Sequence, residues 1–268
     1  MATTSANDDD RGEPPPLLEV RNLSVRFGGI FALHDVSFTI RAGQIVGLIG
    51  PNGAGKTSLF NCLSRLYQPA AGEILFEGKS LLAAPRHRIA GLGLGRTFQN
   101  VALFDKMTVE ANVLVGGHGP ARAGFIAAAF KPASARREEA ELRRRGSELI
   151  TFMDLEPFRA DLAGGLPFPI RKRVELARAL MTRPRLLLLD EPAAGLNHEE
   201  VENLESQIQR VRMHYEVTVL LVEHHMNLVM SISDKIVAIN FGRKIADGPP
   251  AEVRNAPAVI EAYLGAES

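Results

Sequence analysis

Eight consecutive residues in this chain have the make-up of a phosphate cradle. Gly50-Pro51-Asn52-Gly53-Ala54-Gly55-Lys56-Thr57 fits the pattern G-x-x-x-x-G-K-[ST] at every fixed position. The glycines let the backbone curl so that successive N–H groups face inward and hold phosphate oxygens. A helix starting near Gly55 would add the positive end of its dipole. Lys56 would then reach the β- and γ-phosphates of a nucleotide, and the Thr57 hydroxyl would ligate Mg2+. A chance glycine-rich turn would lack this context. The apolar stretch Gln44–Ile49 leads in, and Leu59, Leu63 and Leu66 lead out at helical spacing.

Further polar residues stand where apolar runs end. Leu186–Leu189 run into Asp190-Glu191. A buried parallel strand presents such carboxylates at the ligand edge of its sheet. Asp190 is placed to hold Mg2+, directly or through water, and Glu191 to polarise an attacking water. An acidic turn after a core strand is the plain alternative, and the phosphate loop on the same chain weighs against it. His224 follows the apolar stretch Val217–Val222. A histidine there can contact a γ-phosphate, and His225 beside it leaves the choice between them open. Gln99, in Arg96-Thr97-Phe98-Gln99-Asn100, could ligate Mg2+ and orient water, although glutamines are common on loops. Phe27, ahead of Gly28-Gly29, could stack an adenine ring or simply join the core.

The elements that must position these residues follow from hydrophobic patterning. Leu17–Phe27 and Phe31–Ile40 read as two strands joined at Gly28-Gly29, followed by strands at Gln44–Ile49 and Glu73–Phe76. Lys56–Leu66 reads as a helix, and residues 108–185 as mostly helical, with Arg171–Met181 the helix after Pro167 and Pro169. Strands at Leu186–Leu189, Val217–Val222 and Asp234–Asn240 follow, with helices at Glu199–His214 and Ala258–Leu264. Apolar strands alternating with helices predict an α/β fold with a largely parallel, buried sheet. The start reads as an antiparallel β insertion on that core and the middle as a helical one, about residues 100–185.

Composition sets the surroundings. Lys plus Arg total 31 and Asp plus Glu total 31, so net charge gives no general pull towards nucleic acid or an anionic membrane. Cys62 is the only cysteine, which excludes an internal disulfide and fits a reducing cytosol. Its expected place is in the core. No apolar stretch is long enough to span a bilayer. Residues 1–16, with Asp8-Asp9-Asp10 and Pro14-Pro15-Pro16, lack a signal-peptide pattern and are expected to be a disordered tail. The Arg clusters at 136–145, offset by Glu138, Glu139 and Glu141, read as a solvated helix face.

Taken in order, these motifs resemble an ABC-transporter ATPase subunit of the branched-chain amino acid importer type. The resemblance spans residues 17–265. It implies a P-loop NTPase core with an antiparallel β subdomain and a helical subdomain, using ATP and Mg2+. It assigns Phe27 to adenine stacking, Gln99 to the glutamine loop and His224 to the switch histidine. Gly195-Leu196-Asn197 falls on the D-loop, with Asn197 where the family has Asp. Asp190-Glu191-Pro192-Ala193-Ala194-Gly195-Leu196-Asn197, Val222-Glu223-His224-His225-Met226 and the tail Gly248–Gly265 carry the subfamily likeness. Urea-uptake and lipopolysaccharide-export systems share the core. The implied partners are two membrane-spanning permease subunits, a second ATPase and, indirectly, a solute-binding protein, with no nucleic acid. The implied place is the cytoplasmic face of the membrane. The stretch after Gln99, including Phe104 and Met107, is a candidate docking surface or part of the helical core.

One motif departs from the family. The LSGGQ signature should fall on Leu166-Pro167-Phe168-Pro169-Ile170, where only Leu166 matches. The signature offers a hydroxyl and backbone N–H groups to the partner's γ-phosphate, and the prolines have no N–H to offer. A heterodimer with a signature-intact ATPase is the expectation, with a homodimer as the alternative. ABC-type ATPases of DNA repair, chromosomes or ribosomes usually bear long coiled coils, zinc-binding cysteines or two cassettes, and this chain has none of those patterns. A small-molecule kinase would leave Gln99, Asp190-Glu191 and His224 unexplained. A nucleotide-binding regulator without turnover is a further alternative.

Overall fold

The computed structural model describes residues 15–97, 101–117 and 133–264. The expected disordered tail lies almost wholly outside the described residues, and Gln99 lies outside them too. In chain order the elements are β1 (Leu18–Phe27), β2 (Ile30–Ile40), β3 (Ile45–Ile49), α1 (Lys56–Leu63), β4 (Ala71–Phe76) and β5 (Lys79–Ser80). Then come β6 (Leu94–Arg96), α2 (Val109–Val115), α3 (Ala133–Phe152), α4 (Phe168–Leu180), β7 (Leu186–Asp190) and α5 (His198–Tyr215). The chain continues through β8 (Thr218–Val222), α6 (Met226–Ile232), β9 (Lys235–Asn240), β10 (Arg243–Gly248), α7 (Pro250–Arg254) and α8 (Pro257–Leu264).

Two sheets form. The first is antiparallel in the order β2-β1-β4-β5, and the second runs β10-β9-β3-β8-β7-β6. Within the second, β6, β7, β8, β3 and β9 are mutually parallel, and only β10 pairs antiparallel at the edge. Alternate residues of each parallel strand enter separate apolar clusters. Leu187 and Leu189 of β7 join Val219 and Leu221 of β8 on one face, against Val174 of α4 and Ile208 of α5. Leu186 and Leu188 join Leu220 and Val222 on the other, against Leu59, Phe60 and Leu63 of α1 and residues of the antiparallel sheet. Burial of both faces is why these strands read as unbroken apolar runs without alternation.

The α/β expectation holds, with corrections in detail. The helix α4 starts at Phe168 rather than Arg171. Pro167 is its cap and Pro169 lies in its first turn, where a missing N–H removes no intrahelical bond. Helix α1 stops at Leu63 rather than Leu66, since Arg65 turns left-handed at φ 57°. The stretch 108–185 is three α-helices with short 3-10 turns among the described residues, and α2 ends at Val115, just ahead of Gly116-Gly117. Patterning missed α6 and α7, which are too short to develop a period, and β10, whose Arg243–Gly248 carries no apolar run. The arginine face is mixed. Arg143 and Arg144 pair with Glu139, Glu141 and Glu148 in solvent. Arg145 instead turns inward and donates to the carbonyls of Leu180 and Met181, closing the C-terminal end of α4. Cys62 is fully buried, as expected.

Candidate nucleotide site

The phosphate loop leaves β3 at Gly50 and enters α1 at Lys56. Its glycines are required by geometry. Gly50 has φ 154° and Gly55 φ 106°. A Cβ on Gly50 would stand 2.1 Å from the Ile239 carbonyl oxygen, and one on Gly55 2.4 Å from that of Ala32. The loop is thus pressed against β9 on one side and β2 on the other. A further tie, from the Gly242 N–H to the Ala54 carbonyl at 3.0 Å, fixes its tip. Sequence patterning gave no sign of Ala32, Ile239 or Gly242, because their contribution is backbone position.

Lys56 is buried, and its ammonium donates to the carbonyls of Gly50 at 2.6 Å and Pro51 at 2.9 Å. Burial pushes its pKa down, and Glu191 pulls it partly back. A desolvated cation held by its own loop is placed to accept a polyanion. Thr57 occupies the first turn of α1 beside it.

The strand order places three loops side by side. β3 lies next to β8, and β8 next to β7, so the phosphate loop, His224 and Glu191 emerge at one edge in parallel register. His224 Nε2 faces Glu191 Oε1 at 3.0 Å. The structure therefore joins Glu191 to His224 and not to His225. Glu191 adopts φ 47°, which turns the chain sharply as it leaves the sheet. Asp190, one residue earlier, is buried and ion-paired with Arg96 at 2.9 Å. Arg96 also donates to Asn61 Oδ1 at 3.0 Å and Ser64 Oγ at 2.9 Å, tying Asp190 to α1.

Phe27 is the last residue of β1. It is half-exposed and meets Tyr67 edge-on, with centroids 5.1 Å apart. A buried core place for it is therefore excluded. Asn197 caps α5: its side chain accepts from the Glu200 N–H at 3.0 Å, and Glu200 accepts from the Asn197 N–H at 2.8 Å. At the head of α4, Phe168 is exposed and Lys172 lies over its ring at 5.3 Å. Three residues that sequence reading passed over belong to the site's support: Arg96, Lys172 and Glu223. Lys172 and Glu223 are buried and Arg96 is mostly so, and burial has no local sequence signature.

Among the described residues no group of three His, Cys, Asp or Glu side chains could hold a metal by itself. A hydroxyl on Thr57 and a carboxylate on Asp190 fit a hard cation that completes its shell with phosphate and water, as Mg2+ does. No helix among the described residues is long and apolar enough to cross a membrane.

Comparison with known proteins places the chain in a family. The ABC transporter family model matches residues 33–194. A second model, the branched-chain amino acid ATP-binding cassette transporter, matches residues 243–268. The high-affinity branched-chain amino acid transport ATP-binding protein BraF of Pseudomonas aeruginosa is 48% identical over 250 residues, covering 93% of this chain and 98% of its own length. The corresponding protein LivG of Escherichia coli is 44% identical over the same coverage. Among solved structures, a nucleotide-free ATP-binding cassette from an ABC transporter superposes with TM-score 0.80 at 28% identity, covering 93% of this chain and 99% of that one. An ABC-transporter cassette in its ADP conformation gives TM-score 0.81 at 28% identity, covering 94% and 100%. With the phosphate loop, the paired Glu191 and His224 and these likenesses together, the chain belongs to the ATPase subunits of the ABC transporter family, on its branched-chain amino acid branch.

Proposed function

We propose that this chain is the MgATP-hydrolysing motor of an importer for branched-chain amino acids. The single observation that carries the catalytic part is the Glu191–His224 contact at 3.0 Å, beside the phosphate loop. The residues from Gly50 to Thr57 hold the phosphates, with Lys56 exchanging its two loop carbonyls for phosphate oxygens. Thr57 and Asp190 would hold Mg2+, which supplies charge neutralisation for the phosphates. Glu191 accepts the proton of the attacking water. The contact with Glu191 fixes the His224 imidazole at the sheet edge from which the phosphate loop also emerges. Phe27 offers its exposed ring to adenine. Gln99 would orient the water and ligate Mg2+, the role that the family resemblance assigns to it.

Residues 17–265 form the ATPase domain, with a helical subdomain at about 100–185. The chain works on the cytoplasmic face of the membrane with two permease subunits, served indirectly by a solute-binding protein. The cargo rests on the names of the relatives BraF and LivG and on the family model over residues 243–268. The degenerate signature at Leu166–Ile170 supports a heterodimer, in which this chain's catalytic residues meet the intact signature of a second ATPase. Full transporter-like turnover by the chain alone, with Pro169 substitutions neutral, would count against that pairing.

Glu191→Gln tests the catalytic assignment. The variant should bind ATP with wild-type affinity and lose about 10²–10⁴-fold in turnover. Undiminished phosphate release would remove Glu191 from the mechanism.

A further inference from the structure

Glu223 is almost fully buried, at 1% exposure, between the two loops that carry Glu191 and His224. Its two carboxylate oxygens face three backbone donors. Oε1 accepts from the Ala193 N–H at 2.5 Å. Oε2 accepts from the N–H groups of His224 at 2.9 Å and His225 at 3.3 Å. Ala193 follows Glu191 within one turn, closed by the Ala194 N–H bonding to the Glu191 carbonyl at 3.1 Å. The Glu191 N–H bonds to the Val222 carbonyl at 2.9 Å. The two loops are therefore stitched on either side of the catalytic pair, and Glu223 makes the outer stitch.

Charge and shape both favour a carboxylate at this position. Two acceptor oxygens with no proton suit three converging N–H groups, and an amide would set its NH2 against one of them. Buried N–H groups left without an acceptor are costly. Lys172 of α4 supplies compensating charge. Burial pushes its ammonium down, and Glu175, Glu223, Glu191 and Asp190 pull it back, in that order.

We propose that Glu223 is a positioning residue that fixes the Glu191–His224 separation by clamping the loop after β7 to the loop after β8. It touches no substrate. It acts through His224, so its loss lowers turnover without weakening nucleotide binding, because the phosphate loop lies on β3 and α1. The proposal rests on the reading of Glu191 and His224 as the hydrolytic pair.

The test compares Glu223→Gln and Glu223→Asp in the full chain within its assembled transporter. Gln keeps the size and loses one acceptor, whereas Asp keeps the charge and shortens the reach. Both should bind a fluorescent ATP analogue within about twofold of wild type and lose about tenfold or more in kcat, the scale for losing a group that orients another. In a His224→Ala background, Glu223→Gln should cause little further loss, since two residues acting through one group are not additive. A full further loss in that background overturns the proposal, as does unchanged kcat. So does a parallel fall in binding and kcat, or failure of both variants to fold. A Glu191→Gln chain run alongside separates the two readings. Wild-type turnover there sinks the hydrolytic pair itself. A dead Glu191→Gln beside a fully active Glu223→Gln sinks only the clamp.

Discussion

At the scale of single residues, the site is a set of buried charges that satisfy one another. Asp190 and Arg96 are the clearest case. Their side chains are 6% and 11% exposed, and they meet at 2.9 Å. Such a pair adds little net stability over an apolar replacement, but breaking it strands the remaining charge. Arg96→Met should therefore cost about 3–5 kcal/mol, read from urea unfolding followed by circular dichroism. A cost below about 1 kcal/mol would mean that solvent reaches Asp190. Cys62 gives a second handle, in pH. Burial pushes its thiol up from 9.0 to about 11. An unfolded thiol ionises first as pH rises, so the unfolded state binds fewer protons between those values and native stability falls there. Cys62→Ala should lose that component of the slope, and the difference between the two unfolding-midpoint curves from pH 9 to pH 11 measures it.

Elements decide how the site is framed. The loop between Asp190 and α5 must turn away from the sheet and then start a helix. Glu191 makes the turn with its left-handed φ of 47°, and Asn197 starts the helix through the capping box with Glu200. The departure from the family's Asp at 197 therefore preserves the cap, since Asn and Asp cap equally well. Asn197→Ala should destabilise the chain by about 1 kcal/mol in thermal unfolding, and Asn197→Asp should be close to neutral. Equal losses for both would place the requirement elsewhere than the cap. The prolines at the head of α4 act similarly. They leave the helix intact and remove only the N–H groups that would have pointed outward.

For the whole molecule, the phosphate loop is the seam between two sheets. Gly55 is pressed against Ala32 of the antiparallel sheet, and Gly50 against Ile239 of the parallel one. Nucleotide bound there should hold both sheets together and stabilise the chain by mass action. MgATP at a hundredfold excess over its Kd should add about 2.7 kcal/mol to wild-type stability. Lys56→Met should abolish that gain. In the absence of nucleotide the variant should unfold at or above the wild-type temperature, because burial already disfavours the charged ammonium. A large loss of apo stability would show that the bonds from Lys56 to Gly50 and Pro51 outweigh its desolvation. Differential scanning fluorimetry with and without MgATP distinguishes these outcomes.

What the sequence determined by itself were the features written in contiguous residues. The phosphate loop needs eight neighbours in a row. The Leu186–Leu189 run with Asp190-Glu191 needs six, and the parallel core shows itself as apolar runs of strand length. Short-range chemistry of that kind is legible because its partners are adjacent in the chain. The tertiary structure alone decided the rest. It paired His224 with Glu191, put Arg96 on Asp190 across 94 positions of sequence, turned Arg145 inward, and set Glu223 under Ala193. Each of these is a polar contact made where strands that are distant in sequence become neighbours in a sheet. Burial gives such contacts their strength by removing competing water, and burial is a property of the folded chain that no local pattern records.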